Sequence, residues 1–262
     1  MRRFLLGALL LAIISVVAGA ELQFHTVAPT DTFRVAYDPL YPEGHALDTI
    51  GHGRYSTLTD ADYAEVAREL DVEVAAIRAV VEIETGGVHE GFFEPGKPIV
   101  NFDLSVFRKF AARRKINLAK YAKSHAVVFA APNARRYGSR HAAQWARLEA
   151  AMTIDSVAAI EGAFWGMFQI GGFNWKQCGT PTIGEFARLM CFSEREQLEL
   201  FAQFLKSRNL VGYLKAHNWA AFARSYNGNS YKRHSYDQRL ARAYAKYKKE
   251  QQQQEQQQEP LQ

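Results

Sequence analysis

The sequence predicts a mainly α fold, and three observations carry that expectation. From about residue 57 to residue 250 apolar positions recur at helical spacing, and Thr, Asp, Ser and Asn stand where helices need caps. Only one run, Ile99-Val100-Asn101-Phe102, has clear strand character, which leaves room for one small β-hairpin. The 262 residues are 48% hydrophobic and 23% charged, and the helical part is long enough to bury a core.

The ends differ from this middle. Arg2 and Arg3 precede an apolar run from Phe4 to Val17, followed by a small-x-small site at Ala18-Gly19-Ala20. Residues 1–20 therefore read as a secretory signal peptide, with an uncleaved membrane anchor as the alternative. Cleavage near Ala20 implies a periplasmic or secreted protein. Residues 21–56 carry Pro29, Pro39 and Pro42 without periodicity and read as an extended leader. Residues 251–262 are almost all Gln and Glu, a tail with nothing apolar to bury, disordered or a frayed extension of the last helix.

Within 57–250, Thr59 followed by Asp62 starts a helix to about Leu70, and Asp71 is placed to cap the next, which runs to Thr85 before Gly86-Gly87. Pro95, Gly96 and Pro98 mark turns before the strand candidate, and a helix starts near Leu104. Further helices are expected over Ser139–Met152, Ser156–Gly162 and Ile183–Leu189. Ser193 with Glu196 forms a capping box for a helix through Phe204; Asn218 caps one ending at Tyr226-Asn227-Gly228, and Tyr236–Lys249 is the last.

The formal charge of +5 suits a polyanionic partner, whether wall, nucleic acid or membrane surface, without choosing among them. Cys178 and Cys191, following an export signal, either pair as a disulfide or stay as buried thiols. His89-Glu90 lacks a second His at ligand spacing, so no metal or other cofactor is expected. The basic residues form no nucleic-acid motif.

One helix carries three glutamates in unequal positions. At about 100° per residue, Glu84 falls among Ile77, Val80 and Val81 on the apolar side, whereas Glu82 lies near Arg78 and can pair with it. A carboxyl on an apolar face tends to keep its proton, which a glycosidase requires of its general acid. The same placement also suits a core-edge Glu bonded to a backbone amide or an Arg.

Around that helix the sequence resembles the N-acetylmuramidase family of phage endolysins and bacterial wall-lytic proteins. The matching runs, in order, are Leu58-Thr59-x-Ala61-Asp62-Tyr63, Ala76-Ile77-Arg78-Ala79-Val80 and Glu82-Ile83-Glu84-Thr85-Gly86-Gly87. Gln144-Trp145-x-Arg147-Leu148, Trp165-Gly166-Met167-Phe168-Gln169-Ile170 and Gly172-Phe173-Asn174 follow, then Cys178-Gly179 and Phe222-Ala223-Arg224-x-Tyr226-Asn227-Gly228. The resemblance spans Leu58 to Tyr247 and implies a lysozyme-like helical domain acting on peptidoglycan glycan strands, expected as a monomer. It makes Glu84 the acid that protonates the glycosidic oxygen, Gln169 and Asn174 cleft residues, Tyr226 a donor to Glu84 or substrate, and Asn227 a support. Trp165 and Phe168 either stack on sugars or pack in the core.

Asp103 stands where the family usually has Glu after Phe. It either orients the attacking water or only caps the helix beginning at Leu104. Phe164 and Gly171 also depart from the family pattern beside the expected cleft, and the poorly matching stretch from Ala111 to Arg136 can form a wall-facing basic surface or a solvated loop. The expected reaction is hydrolysis between N-acetylmuramic acid and N-acetylglucosamine. The alternatives are a lytic transglycosylase and a non-catalytic peptidoglycan-binding protein.

Overall fold

A computed structural model describes residues 55–86 and 90–258. The signal segment, nearly all of the leader, Gly87 and residues 259–262 lie outside the described residues.

The first helix, α1 (Asp60–Leu70), begins as its sequence demands. The Thr59 hydroxyl accepts from the Asp62 backbone and the Asp62 carboxylate accepts from the Thr59 N–H at 2.7 Å, so two otherwise orphaned donors are satisfied reciprocally. Asp71 does not cap the next helix, contrary to expectation. It takes the left-handed conformation that ends α1, its N–H turned back to Ala67 and Arg68, and its carboxylate pairs with Lys215 at 2.7 Å. Helix α2 (Val74–Glu84) begins at Glu73 without a side-chain cap. It holds its place by burial: Ile77, Val80 and Val81 are at most 1% exposed.

Strands β1 (Phe92–Glu94) and β2 (Lys97–Pro98) form a hairpin. Strand β3 (Val100–Phe102) leads into α3 (Leu104–Arg113), then short helices α4 (Ala126–Phe129) and α5 (Ala134–Tyr137), which both pack on α6 (Arg140–Met152). After α7 (Ser156–Glu161), β4 (Ala163–Trp165) and β5 (Ile170–Gly171) complete a three-stranded antiparallel sheet in the order β3-β4-β5, with Asn101 opposite Phe164 and Phe164 opposite Gly171. The expected single hairpin is thus two small sheets. Strands of two or three residues are too short to show alternation in a sequence.

Helices α8 (Ile183–Met190), α9 (Glu194–Ser207), α10 (Val211–Lys215) and α11 (Trp219–Asn227) follow. The last, α12 (Tyr236–Gln258), lies along α2 and continues past Lys249 through the Gln-rich run. The class is mainly α, as expected. Among the described residues no helix is long and apolar enough to cross a membrane.

The core joins the sheet to the helices through Trp145, Trp165, Phe107, Phe186 and Phe201, all at most 1% exposed. Arg147 is buried with them, donating to the carbonyls of Phe102 (3.0 Å) and Val128 (3.3 Å) and so tying β3 to α4 through α6. At Gly172 the chain passes so close to α7 that a Cβ would stand 1.9 Å from the Ile160 carbonyl oxygen.

Candidate active site

Helix α2 delivers Glu84 at its last turn. There Thr85 ends the helix by turning its hydroxyl onto the Val81 carbonyl at 2.7 Å, and Gly86 follows at φ +65°, which favours glycine. The side of α2 that carries Ile77, Val80 and Val81 faces the core, so Glu84 is drawn inward with it. Burial pushes its carboxyl up from the ordinary 4.5 to about 7, opposed by Asn227 and by the positive charge of Arg239. The negative end of the helix dipole also disfavours a charged carboxylate there.

Its surroundings come from the end of α11. Glu84 Oε1 and Asn227 Nδ2 are both buried without a completed hydrogen bond, while the amide stands near enough to favour the ionised carboxyl. Tyr226 lies beside them. Burial, and then the Glu84 charge, hold its phenol well above the ordinary range, so it remains a proton-bearing donor. Its ring is stacked on Phe222 (5.7 Å) and edge-on to Phe201 (5.9 Å) and Phe204 (6.2 Å), which fixes its direction. Three sequence-predicted residues, Glu84, Tyr226 and Asn227, are therefore brought together.

The remaining candidates are placed otherwise. Trp165 is fully buried, edge-on to Trp145 and Phe186, and donates its indole N–H to the Ile160 carbonyl at 3.1 Å, so no face is left for a sugar. Phe168 is 3% exposed and stacked on Phe201 at 4.3 Å. Both are core residues because the β4-β5 hairpin is pinned inward, and Phe168 supports the ring that supports Tyr226. Gln169, at φ +48° in that hairpin turn, donates to the Gly166 carbonyl at 2.8 Å and so braces its own loop. Asn174 ends a short 3-10 turn and offers its carbonyl to the Cys178 N–H at 3.2 Å.

Asp103 is the N-cap of α3. One oxygen, Oδ1, accepts from the Ser105 backbone (2.7 Å), the Ser105 hydroxyl (2.6 Å) and the Val106 backbone (3.1 Å), and the Ser105 hydroxyl above all holds the carboxyl below its ordinary range. Of its two expected roles the structure displays the cap. Cys178 and Cys191 are free buried thiols rather than a disulfide; burial pushes Cys178 up to about 12 and Cys191 further, so neither is a nucleophile at neutral pH.

Two positioning residues escaped the sequence reading. Gln197 is fully buried, accepting from the Met167 N–H at 2.8 Å and donating to the carbonyls of Met190 (3.0 Å) and Gly91 (3.3 Å). Glu194 accepts from the backbone of Gly91 (2.7 Å) and Leu58 (2.9 Å). Gln197 moors the β4-β5 turn to α9, and the two side chains together hold Gly91, just ahead of β1, against the same helix. Their spacing with Leu198 and Phe201 on one helix face was the available signal.

Residues 73–248 match the N-acetylmuramidase family. Among solved structures, the crystal structure of the Burkholderia AP3 phage endolysin is similar, at 36% identity and a TM-score of 0.63 over 80% of this chain and 78% of that one. No curated protein matches. The family match over most of the chain and the endolysin-like fold agree, and the chain belongs to the N-acetylmuramidase family.

Proposed function

We propose that Glu84 is the general acid with which this glycoside hydrolase of peptidoglycan cuts between N-acetylmuramic acid and N-acetylglucosamine. The observation that carries the reading is the Glu84 carboxyl itself, raised to about 7 by burial beside an Asn227 amide that has no partner of its own. A carboxyl that keeps its proton near neutral pH can give it to the leaving oxygen as the glycosidic bond breaks. Asn227 favours the carboxylate left behind, and the Tyr226 hydroxyl is held as a donor beside both. Action outside the cytoplasm follows from the signal-like residues 1–20 and from the substrate.

A second reading rests on Asp103. One of its oxygens is committed to the cap, and a reaction that needs no water-activating acid is intramolecular attack by the muramic acid 6-hydroxyl, which would leave an anhydro end. Digestion of purified sacculi with mass analysis of the released muropeptides separates the two. Reducing ends at muramic acid support hydrolysis, whereas anhydro ends support the transglycosylase. Release of neither kind would overturn both.

A further inference from the structure

We propose that the α3–α6 side of the molecule is a second wall-binding surface, which holds peptidoglycan through the carboxylates of its stem peptides, away from the reacting bond. The proposal rests on the reading of the protein as a peptidoglycan hydrolase and extends it.

Charge is unevenly distributed along the chain. Leu104 to Leu148 contains 11 Lys and Arg residues and no Asp or Glu, so the rest of the chain carries 21 basic against 27 acidic residues. The net positive charge is thus wholly owed to this one segment. Two of its cations have partners in the fold: Arg114 pairs with Asp155 at 2.8 Å, and Arg147 is buried against carbonyls. The other nine are exposed, and among the described residues only Arg113 is near enough to an acidic side chain, Glu161, to bear on its charge, while Lys109 and Arg113 lie over the Phe110 ring and Arg136 over the Tyr137 ring.

The fold gathers them. Helices α4 and α5 both pack on α6, and the Arg114–Asp155 pair fastens the end of α3 just beyond the C-terminus of α6. The segment therefore runs along the flank of α6, which at 1.5 Å per residue is about 20 Å long. Cations spread over that length repel one another, and ring contacts such as those of Lys109 and Arg113 leave their charge in place; a polyanion would relieve the repulsion.

The absence of apolar wedges chooses among polyanions. Elements that enter a membrane surface present exposed Trp, Phe or Leu beside their cations. Of the large hydrophobic side chains exposed among the described residues, Tyr213 lies on α10, and Phe173 adjoins the segment but is stacked on Phe110 of α3 (5.8 Å) and edge-on to Phe164 (6.0 Å), a ring held by other rings. A surface so dominated by cations suits a hydrated polymer, and the polymer this enzyme acts on carries repeating peptide carboxylates. Attachment there would raise the local concentration of glycan at the cleft.

The test compares Lys120→Gln/Lys123→Gln/Arg135→Gln with a control of equal charge loss, Arg68→Gln/Arg208→Gln/Lys249→Gln, in the full chain. Sedimentation with purified sacculi at low and high salt, with sacculi whose carboxylates have been converted to neutral amides by carbodiimide coupling, and with anionic phospholipid vesicles reads binding. Cleavage of soluble glycan fragments reads the active site separately. The expected result is sacculus binding weakened at least about tenfold at low salt by the first triple variant, little changed by the control, lost in all forms on amidated sacculi, and unaccompanied by any change on soluble fragments. Equal binding by the two triple variants, retention on amidated sacculi, or tighter binding to vesicles than to sacculi would overturn it. Failure of the wild-type protein to cut any glycan while still binding sacculi in this manner would overturn the hydrolase reading and leave the surface standing.

Discussion

Glu84 Oε1 and Asn227 Nδ2 meet where two helices end, α2 and α11, and each is buried without completing a hydrogen bond. Buried polar groups are ordinarily satisfied within the fold, and a neighbouring pair left open is a place where a ligand's polar atoms fit. The relationship assigns opposite influences to burial and to the amide. Burial keeps the proton on Glu84, while Asn227 stabilises the anion formed once the proton has gone.

Glu84→Gln is therefore expected to abolish glycan cleavage, by at least about a hundredfold, with the fold intact by circular dichroism. Glu82→Gln should be mild, because Glu82 is an outward anchor for Lys246 (2.9 Å) and Tyr247 (2.7 Å) on α12. Comparable losses of activity in the two variants would refute the placement of the acid.

The pH dependence follows with a definite sign. Glu84 must be protonated to act, so activity should decline as pH rises through about 7. Asn227→Ala removes a group that favours the charged form, and the alkaline limb should move upward in pH. Stability runs in parallel. The unfolded carboxyl ionises near 4.5 and the folded one near 7, so this group's stability contribution is lost as pH climbs between those values. Glu84→Gln should then raise stability at pH 8 by up to about 3 kcal/mol and leave it unchanged at pH 4, measured by urea unfolding.

Asp103→Asn tests the capping role. Asn caps helices as well as Asp does, so stability should hold, whereas Asp103→Ala should cost about 1 kcal/mol. If the cap is its whole function, Asp103→Asn also keeps cleavage of sacculi within about threefold of wild type, a change of under 1 kcal/mol in barrier. A loss of a hundredfold or more would restore Asp103 to the chemistry.

The helical class, most helix boundaries and the inward side of Glu84 were legible because they depend on local signals: caps at Thr59, Ser193 and Asn218, and a 3.6-residue apolar period. The role of Trp165 was not. An aromatic in a motif reads the same whether it faces a cleft or the core, and its burial is decided by Trp145 and Phe186, far away in sequence. Gln197 was hidden for a related reason. Its partners are backbone atoms of Met167, Met190 and Gly91, and backbone groups leave no mark in a sequence. Asp71 shows the opposite error, a good capping residue used to end one helix instead of beginning another.

A final prediction concerns Arg195, which joins α9 to α1 and lies outside the candidate site. Its guanidinium stands 3.6 Å from Asp62 and 3.3 Å from Glu65 and pairs closely with Glu199, while Asp62 is 1% exposed. Burial first, and then the neighbouring acid Glu69, raise the Glu199 carboxyl to about 7 despite the arginine. Arg195→Met keeps much of the packing but leaves these acids facing one another, and removing one member of a buried ionic cluster costs about 3–5 kcal/mol. The loss should be greatest at pH 8, where Glu199 is ionised. It should be smaller at pH 5, where Glu199 can hold its proton and repels its neighbours less. Urea unfolding at the two pH values reads the difference, and a loss independent of pH would show that Arg195 acts through packing rather than charge.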